Sequence, residues 1–298
     1  MTRSQYTFEN PVTRYPQVEA PEKHVPEPGT DTDLEPHADH GEETYRGSAR
    51  LLNRKALITG GDSGIGAAVA IAFAREGADV AITYLPDEED DAQHVRTQIE
   101  TAGRKAVLLP GDLTDRDFCT QLVNKAVREL GGLDILVNNA GKQLFCESIE
   151  DLPDEQFEQT LNTNVLAMFR ITKAAIPYLE PGSTIINTTS VQAYQPSPLL
   201  LDYATTKAAI NAFTKALASQ LASRGIRVNA VAPGPIWTPL QPSGGQPHEK
   251  LAHFGTQTPI GRSGQPAELA PAYVFLASAE SSYVLGATIA VTGGMPTP

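Results

Sequence analysis

Beyond Arg54, short runs of β-branched and other apolar residues alternate with longer segments whose apolar positions recur at helical spacing. The runs predict strands at 55–59 (KALIT), 79–84 (DVAITY), 105–109 (KAVLL), 134–138 (DILVN), 184–188 (TIINT), 226–232 (IRVNAVA) and 287–291 (ATIAV). A helix is predicted over 64–76, and another begins at Pro86 with an acidic first turn, which the helix dipole favours. Apolar strands separated by helices predict an α/β fold with one doubly wound parallel sheet and helices on both faces.

The first 47 residues differ in composition from the rest of the chain. They contain ten acidic and four basic residues, and six prolines (Pro11, Pro16, Pro21, Pro26, Pro28 and Pro36). Because proline removes a backbone donor, this stretch predicts an extended acidic arm at 1–47, followed by one domain at 48–298. Two interpretations of the arm stay open. It is either a disordered leader, or a segment that Tyr6, Phe8 and Tyr15 hold against its own or a neighbouring subunit.

The net charge of −12 argues against a nucleic-acid partner and against docking on an anionic membrane. The first residues lack the apolar core of a secretory signal, and no apolar run approaches the roughly 18 residues needed to span a bilayer. We therefore expect a cytoplasmic protein. Cys119 and Cys146 fit free thiols, and the irregular spacing of His24, His37 and His40 predicts no metal site.

A glycine-rich turn joins the first predicted strand to the first predicted helix. It reads Thr59-Gly60-Gly61-Asp62-Ser63-Gly64-Ile65-Gly66. Glycines at 60, 64 and 66 permit a tight turn and let backbone amides approach a pyrophosphate, which then faces the helix N-terminus. The strand-to-helix context predicts a dinucleotide site and a Rossmann-like sheet.

A tyrosine and a lysine share one face of a later predicted helix. Tyr203 and Lys207 are four residues apart, which places the phenol and the ammonium side by side. A phenol is a general acid-base group if its pKa falls from about 10 toward neutrality, and a nearby cation favours tyrosinate. Tyr194 is a competing phenol, but no lysine follows it four residues later.

The chain resembles the short-chain dehydrogenase/reductase family over residues 50–293. The T-G-x-x-x-G-x-G turn at 59–66 and Asn138-Asn139-Ala140-Gly141 carry the resemblance, together with the Tyr203/Lys207 pair. The arm and the GGDSG loop are most similar to a bacterial subgroup of general-stress and aldehyde-reductase-like members. The resemblance implies an NAD(P)-dependent oxidoreductase that transfers a hydride between nicotinamide and a small carbonyl or alcohol.

The resemblance also implies site residues. Its cofactor-binding positions correspond to Gly60, Asp62, Ser63, Gly64, Ile65, Gly66, Tyr84, Leu85, Asp112, Leu113, Asn139, Ala140, Gly141, Lys207, Pro233, Gly234, Ile236 and Thr238. Ser190 stands at the catalytic serine, where it would donate a hydrogen bond to the substrate oxygen. Asn164 would position a water linking Lys207 to bulk solvent. Asn162 is the rival for that role, but the apolar register that follows favours Asn164.

The choice between NAD and NADP rests on the residues that face the adenosine ribose. The second strand ends in Tyr84-Leu85-Pro86, without the acidic residue of NAD enzymes or a basic residue of NADP enzymes. Asp62 and the acidic run from Asp87 should repel a 2′-phosphate, so the sequence favours NAD weakly.

Residues 239–261 are rich in proline and glycine and are expected to form a mobile lid. Candidate pocket residues are Gln143, Gln192, Tyr194, Trp237 and Leu240, with Ser190, Gln192 and Tyr203 at the substrate. Because no arginine is placed to clamp a carboxylate, we expect an uncharged aldehyde, ketone, sugar or alcohol. The helices that carry Asn164 and Tyr203 are apolar nearly all round, which predicts a homo-oligomer, a tetramer by resemblance.

Two other functions stay open. A nucleotide-sugar epimerase or dehydratase would share the Tyr-Lys pair, but such enzymes usually have a G-x-x-G-x-x-G loop and a longer C-terminal part. The chain could also be a non-catalytic dinucleotide sensor whose arm recruits a partner.

Overall fold

The computed structural model describes residues 4–18 and 25–297. Its seven strands are β1 (Lys55–Thr59), β2 (Asp79–Tyr84), β3 (Ala106–Pro110), β4 (Ile135–Asn138), β5 (Thr184–Thr188), β6 (Arg227–Pro233) and β7 (Thr288–Val291). All neighbouring pairs are parallel, in the order β3-β2-β1-β4-β5-β6-β7. This arrangement confirms the predicted fold class.

Eight α-helices accompany the sheet in the described part of the chain. They are α1 (Gly64–Arg75), α2 (Glu89–Thr101), α3 (Arg116–Leu130), α4 (Asp154–Leu161), α5 (Ala167–Ala175), α6 (Leu201–Leu221), α7 (His248–Leu251) and α8 (Pro266–Ala277). None of them is long and apolar enough to cross a membrane.

The predicted boundaries differ from the observed ones by a few residues. The strands expected at 105–109 and 226–232 each lie one residue further along the chain, so that β3 ends at Pro110 and β6 at Pro233. The hydrogen-bond ladder continues past both prolines, because Gly111 N donates to Tyr84 O at 2.9 Å and Gly234 N donates to Val291 O at 2.9 Å. Pro86 begins a short 3₁₀ turn, Pro86–Glu88, and α2 starts only at Glu89.

The two faces of the sheet carry separate hydrophobic cores. In β1, Ala56 and Ile58 contact the core beneath α1, α2 and α8, whereas Leu57 contacts the core beneath α3, α5 and α6. Successive strand residues point to opposite faces, so a run that is apolar throughout buries both. The fully buried Leu57 and Ile58 show why the strand pattern does not alternate with polar residues.

The described part of the arm lies on the domain without a helix or strand of its own. Leu34 is wholly buried in a small cluster with Trp237, Leu251 and Phe254. The Tyr15 hydroxyl donates to Asp39 Oδ2 at 2.6 Å. Of the three rings expected to pin the arm, Phe8 is fully exposed, and Tyr6 is 63 % exposed with its hydroxyl donating to Arg46 O of the arm at 3.3 Å, so neither ring is buried against the domain.

The arm histidines are partly described. His40 is buried between two carboxylates, with Nε2 2.9 Å from Asp31 and Nδ1 3.0 Å from Glu42, and this pairing raises its pKa to about 10 against the opposing effect of burial. His37 is exposed, and His24 falls outside the described residues. Among the described residues no group of three or more His, Cys, Asp or Glu could hold a metal ion.

Candidate active site

A cavity of about 730 Å³ opens at the carboxyl ends of β1, β4, β5 and β6. In the sheet, β2 and β3 lie on one side of β1 and β4 lies on the other, so the strand order reverses at β1. Doubly wound sheets form a crevice at the point where the strand order reverses. The predicted site residues on its wall are Gly60, Asp62, Ser63, Gly64, Ile65, Tyr84, Leu85, Asp112, Leu113, Asn139, Ala140, Gly141, Ser190, Gln192, Tyr203, Lys207, Pro233, Gly234, Ile236 and Thr238. Gly66 and Asn164 do not line the cavity; they support its wall from behind.

The glycine turn allows α1 to lie close to β1. A Cβ on Gly66 would come within 1.8 Å of the Gly60 carbonyl oxygen, and Gly60 itself has φ +58°. The close approach places the N-terminus of α1 at the cavity wall, where Ser63, Gly64 and Ile65 lie. Gly64 N donates here to Asp31 Oδ2 of the arm at 2.9 Å, and the other backbone donors of the first helical turn suit a pyrophosphate.

Asn139 holds this turn in place. Its Nδ2 donates to the carbonyl oxygens of Thr59 at 3.2 Å and Gly60 at 2.9 Å, and its backbone N–H donates to the Thr59 hydroxyl at 3.0 Å. The asparagine therefore connects the ends of β1 and β4 across the switch point.

The segment after β6 closes the cavity from the other side. Gly234 packs so tightly that a Cβ there would lie 2.7 Å from Thr292 Cα. Thr238 also packs closely against Gly64, since a Cβ added to Gly64 would lie only 2.9 Å from the Thr238 methyl carbon. This contact brings the segment after β6 against the glycine turn.

Asp62 is the most unusual group at the end of the cavity beside β2. It is 3 % exposed, and its Oδ2 has no hydrogen-bond partner in the described structure. Burial, reinforced by the nearby charge of Glu88, raises its pKa well above the ordinary value. An aspartate of raised pKa repels a phosphate less than an ionised one does.

Tyr203 lies in the first turn of α6 and is 8 % exposed. A hydrogen bond joins its hydroxyl to Ser190, whose own Oγ accepts from Gln192 N at 3.1 Å. Burial raises the pKa of Tyr203 to about 12, although the Ser190 hydrogen bond acts the other way. Loss of water around the phenolate therefore outweighs the neighbouring donor, and Ser190 alone does not bring this pKa toward neutrality.

Lys207 lies one helical turn further along α6. Its Nζ is 5.2 Å from the centroid of the Tyr203 ring and donates to Thr188 O at 3.0 Å. Burial lowers the pKa of Lys207 to about 8. At neutral pH the Lys207 ammonium therefore remains charged in most molecules.

Asn164 occupies a π-helical turn, Asn162–Leu166, between α4 and α5. Its Oδ1 accepts from Lys142 N at 2.7 Å, and its Nδ2 donates to Lys142 O at 2.9 Å and to Thr206 Oγ1 at 3.0 Å. A Cβ on Gly141 would lie 3.6 Å from both Asn164 Oδ1 and Lys207 Nζ. The asparagine therefore fixes the loop beside the lysine.

The predicted pocket residues divide into two groups. Gln143, Gln192 and Leu240 line the cavity, but Tyr194 and Trp237 do not. Trp237 is wholly buried beneath the arm, and its Nε1 donates to Pro36 O at 2.7 Å. Placing Trp237 in the pocket was wrong because no sequence pattern shows that the arm covers this side chain.

The sequence reasoning missed two sets of lining residues. Further amides line the cavity at Gln195, Gln241, Gln246 and Gln257, and Gln241 Oε1 is buried without a partner in the described structure. The repeated glutamines of 239–261 are the signal that could have found most of them. The second set is Glu27, Pro28 and Gly29 of the arm, which no motif marks.

Residues 60–296 match the family model described as enoyl-(acyl carrier protein) reductase. The chain belongs to the short-chain dehydrogenase/reductase family. It is 59 % identical over 287 residues to the Escherichia coli (strain K12) uncharacterized oxidoreductase YghA, covering 96 % of this chain and 98 % of that protein. It is also 43 % identical to the glucose and ribitol dehydrogenase of Daucus carota and 44 % identical to the chloroplastic NADPH-dependent aldehyde reductase 1 of Arabidopsis thaliana, in each case over 92 % of this chain and 96 % of the relative.

Solved structures support the same assignment. A Burkholderia cenocepacia short-chain dehydrogenase in complex with NADP has a TM-score of 0.77 and 36 % identity, over 82 % of this chain and 98 % of that one. A metagenomic blue fluorescent protein in complex with NADPH has a TM-score of 0.77 and 34 % identity, over 83 % and 100 %. The protein is an oxidoreductase of this family with an NAD(P) site, but the weak preference for NAD finds no support. The inferred repulsion of a 2′-phosphate assumed a fully ionised Asp62, whereas burial raises the pKa of this carboxyl.

Proposed function

We propose that the protein is an NADP(H)-dependent reductase and dehydrogenase of small uncharged carbonyl compounds and alcohols, with Tyr203 as the general acid-base group. One observation carries the proposal. The buried Tyr203 phenol, its Ser190 partner and the Lys207 ammonium share one cavity with the glycine turn at the N-terminus of α1.

The residues present fit a dinucleotide. The close contact of Gly66 with Gly60 leaves room for a pyrophosphate at the N-terminus of α1, and the unpartnered Asp62 Oδ2 is available to a ribose hydroxyl. Lys207 and the segment from Pro233 to Thr238 would hold the nicotinamide end. When bound, the cofactor supplies or accepts the hydride and, in its oxidised form, adds a positive charge beside the phenol.

The raised pKa of Tyr203 keeps a proton available for carbonyl reduction at neutral pH. A phenol with a pKa of about 12 is protonated at pH 7, which is the form that donates a proton to the oxygen of a carbonyl being reduced. Ser190 holds that oxygen through its hydroxyl, and Lys207 stabilises the tyrosinate left behind. Asn164 positions the loop that contains Gly141 and Lys142 beside this centre.

The cavity wall favours an uncharged, hydroxyl-rich substrate. Gln143, Gln192 and Gln241 line the same cavity as Tyr203, and amides exchange hydrogen bonds with hydroxyl groups without demanding a charge. The names of two relatives, an aldehyde reductase and a glucose and ribitol dehydrogenase, agree with this class.

Turnover measurements test the function. The purified protein with NADPH or NADP is offered aldehydes, ketones, aldoses and polyols, and the nicotinamide absorbance is followed. We expect turnover of at least one carbonyl compound. A uniformly silent panel combined with tight cofactor binding would instead indicate the dinucleotide sensor.

NADP affinity should depend on the ionisation of Asp62. As pH rises through a range well above the ordinary titration range of an aspartate, this carboxyl of raised pKa ionises, and its charge then repels the 2′-phosphate. We expect the Kd for NADP to rise about threefold to tenfold across this range while the Kd for NAD changes little. In Asp62→Asn the pH dependence should disappear, whereas in Asp87→Asn, at an exposed acid beyond β2, it should persist. Titration of cofactor fluorescence measures both constants; equal slopes for wild type and Asp62→Asn would contradict the assignment.

We also propose a homo-oligomer formed through α5 and α6. Phe169 on α5 is 46 % exposed and Leu201 on α6 is 41 % exposed, and Leu166 lies beside α5 at 40 %. Burying such side chains between subunits removes apolar area from water. Light scattering at micromolar concentration should give a mass of at least two chains, and Phe169→Glu should lower it. A wild-type monomer would contradict the interface.

A further inference from the structure

The arm reaches the substrate end of the cavity. Glu27, Pro28 and Gly29 form part of its wall. The Ser243 hydroxyl, which donates to Pro239 O at 2.8 Å, lies 3.3 Å from Pro28 O, and Gly64 N donates to Asp31 Oδ2 at 2.9 Å. The arm thus crosses from the 239–261 loop to the glycine turn and is tied to both.

Lys142 faces the arm from the opposite wall. It follows Gly141, and Asn164 holds its backbone N–H and carbonyl through the two hydrogen bonds described above. Because Gly141 lies against Lys207, the stem of Lys142 begins next to the catalytic centre. Asn164 thus fixes the backbone from which the Lys142 side chain extends.

Lys142 and Glu27 form an ion pair across this mouth. The Nζ to Oε2 distance is 2.6 Å, and the two side chains are 23 % and 42 % exposed. The other acidic residues of the cavity wall, Asp62, Glu88 and Asp112, follow β1, β2 and β3 at the opposite end. Within the described wall, Glu27 is therefore the acid that can neutralise Lys142.

We propose that Glu27 is a specificity-determining residue: by pairing with Lys142, the arm makes the substrate end of the cavity select uncharged carbonyl compounds over carboxylates. The proposal rests on the proposed function above. An unpaired ammonium at a partly desolvated cavity mouth would attract an anionic substrate, and the carboxylate of Glu27 cancels that attraction.

Kinetics with a neutral and an anionic aldehyde test it. Glyceraldehyde and succinic semialdehyde are compared as ratios of kcat/KM in wild type and in Glu27→Gln. We expect the ratio of anionic to neutral substrate to rise about tenfold in Glu27→Gln. Adding Lys142→Gln should return it to the wild-type value, and Glu35→Gln, at an exposed acid of the same arm, should leave it unchanged. A ratio in Glu27→Gln within twofold of wild type would overturn the proposal.

A second measurement does not need turnover. Malonate, a small dicarboxylate, should raise the melting temperature of Glu27→Gln but not of wild type or of the Glu27→Gln/Lys142→Gln double variant. If every variant binds NADP and none reduces a carbonyl, the proposed function fails, and the malonate shift alone decides the role of Glu27. Equal malonate shifts in all three proteins would count against it.

Discussion

Tyr203→Phe should lower kcat for carbonyl reduction by about 10³-fold or more, since it removes the proposed proton donor and leaves the shape of the cavity unchanged. Tyr203 is buried, hydrogen-bonded to Ser190, and close to Lys207. Cofactor affinity should change by less than about threefold, because the ring remains in place. Steady-state turnover and fluorescence titration of NADPH measure the two quantities separately.

Tyr194→Phe is the matched control for this prediction. It removes a second phenol nine residues upstream, on a half-buried side chain that does not line the cavity. We expect wild-type turnover. If Tyr194→Phe were silent and Tyr203→Phe active, the assignment of the acid-base group would be wrong.

Gly66→Ala should disrupt the cofactor site. The new Cβ would lie 1.8 Å from the Gly60 carbonyl oxygen, so α1 or the turn must move by more than an ångström. We expect a loss of stability of about 3 kcal/mol or more and a rise of about 100-fold or more in the Kd for NADP. Thermal unfolding and fluorescence titration provide both values.

Gly103→Ala separates this clash from the general effect of replacing glycine. Gly103 has φ +74° and no atom within 4 Å of the added Cβ, so its replacement introduces backbone strain alone. The expected loss of stability is about 1 kcal/mol, with NADP affinity unchanged. Similar losses of stability and affinity in the two variants would refute the steric explanation.

Local patterns predicted the fold and much of the site wall. Each strand appeared as an apolar run within one residue of its observed length, since both faces of a parallel sheet are buried. The contact of Gly66 with Gly60 is also local, so the spacing of the glycines was enough to predict the dinucleotide turn. Tyr203 and Lys207 lie on one helix, and their spacing already placed them side by side.

The ionisation of the site residues could not be predicted in this way. The direction of the Tyr203 pKa shift depends on how completely the folded protein excludes water from the phenol. Asp62 shows the same effect: its acidic side chain suggested repulsion of a phosphate, but burial and Glu88 raise its pKa. Desolvation arises from all the elements packed around a group, and no short stretch of sequence contains that information.

Local sequence patterns thus predict the order of strands and helices along the chain, the glycine turn and the Tyr-Lys pair, because each depends on residues within a few positions of one another. The folded chain was needed to show that Trp237 lies beneath the arm and that Glu27 faces Lys142 across the cavity. Those partners are 115 residues apart or more in the chain. The arm has neither helical nor strand periodicity, so its position follows from the side chains that it buries and the charges that it meets on the folded domain.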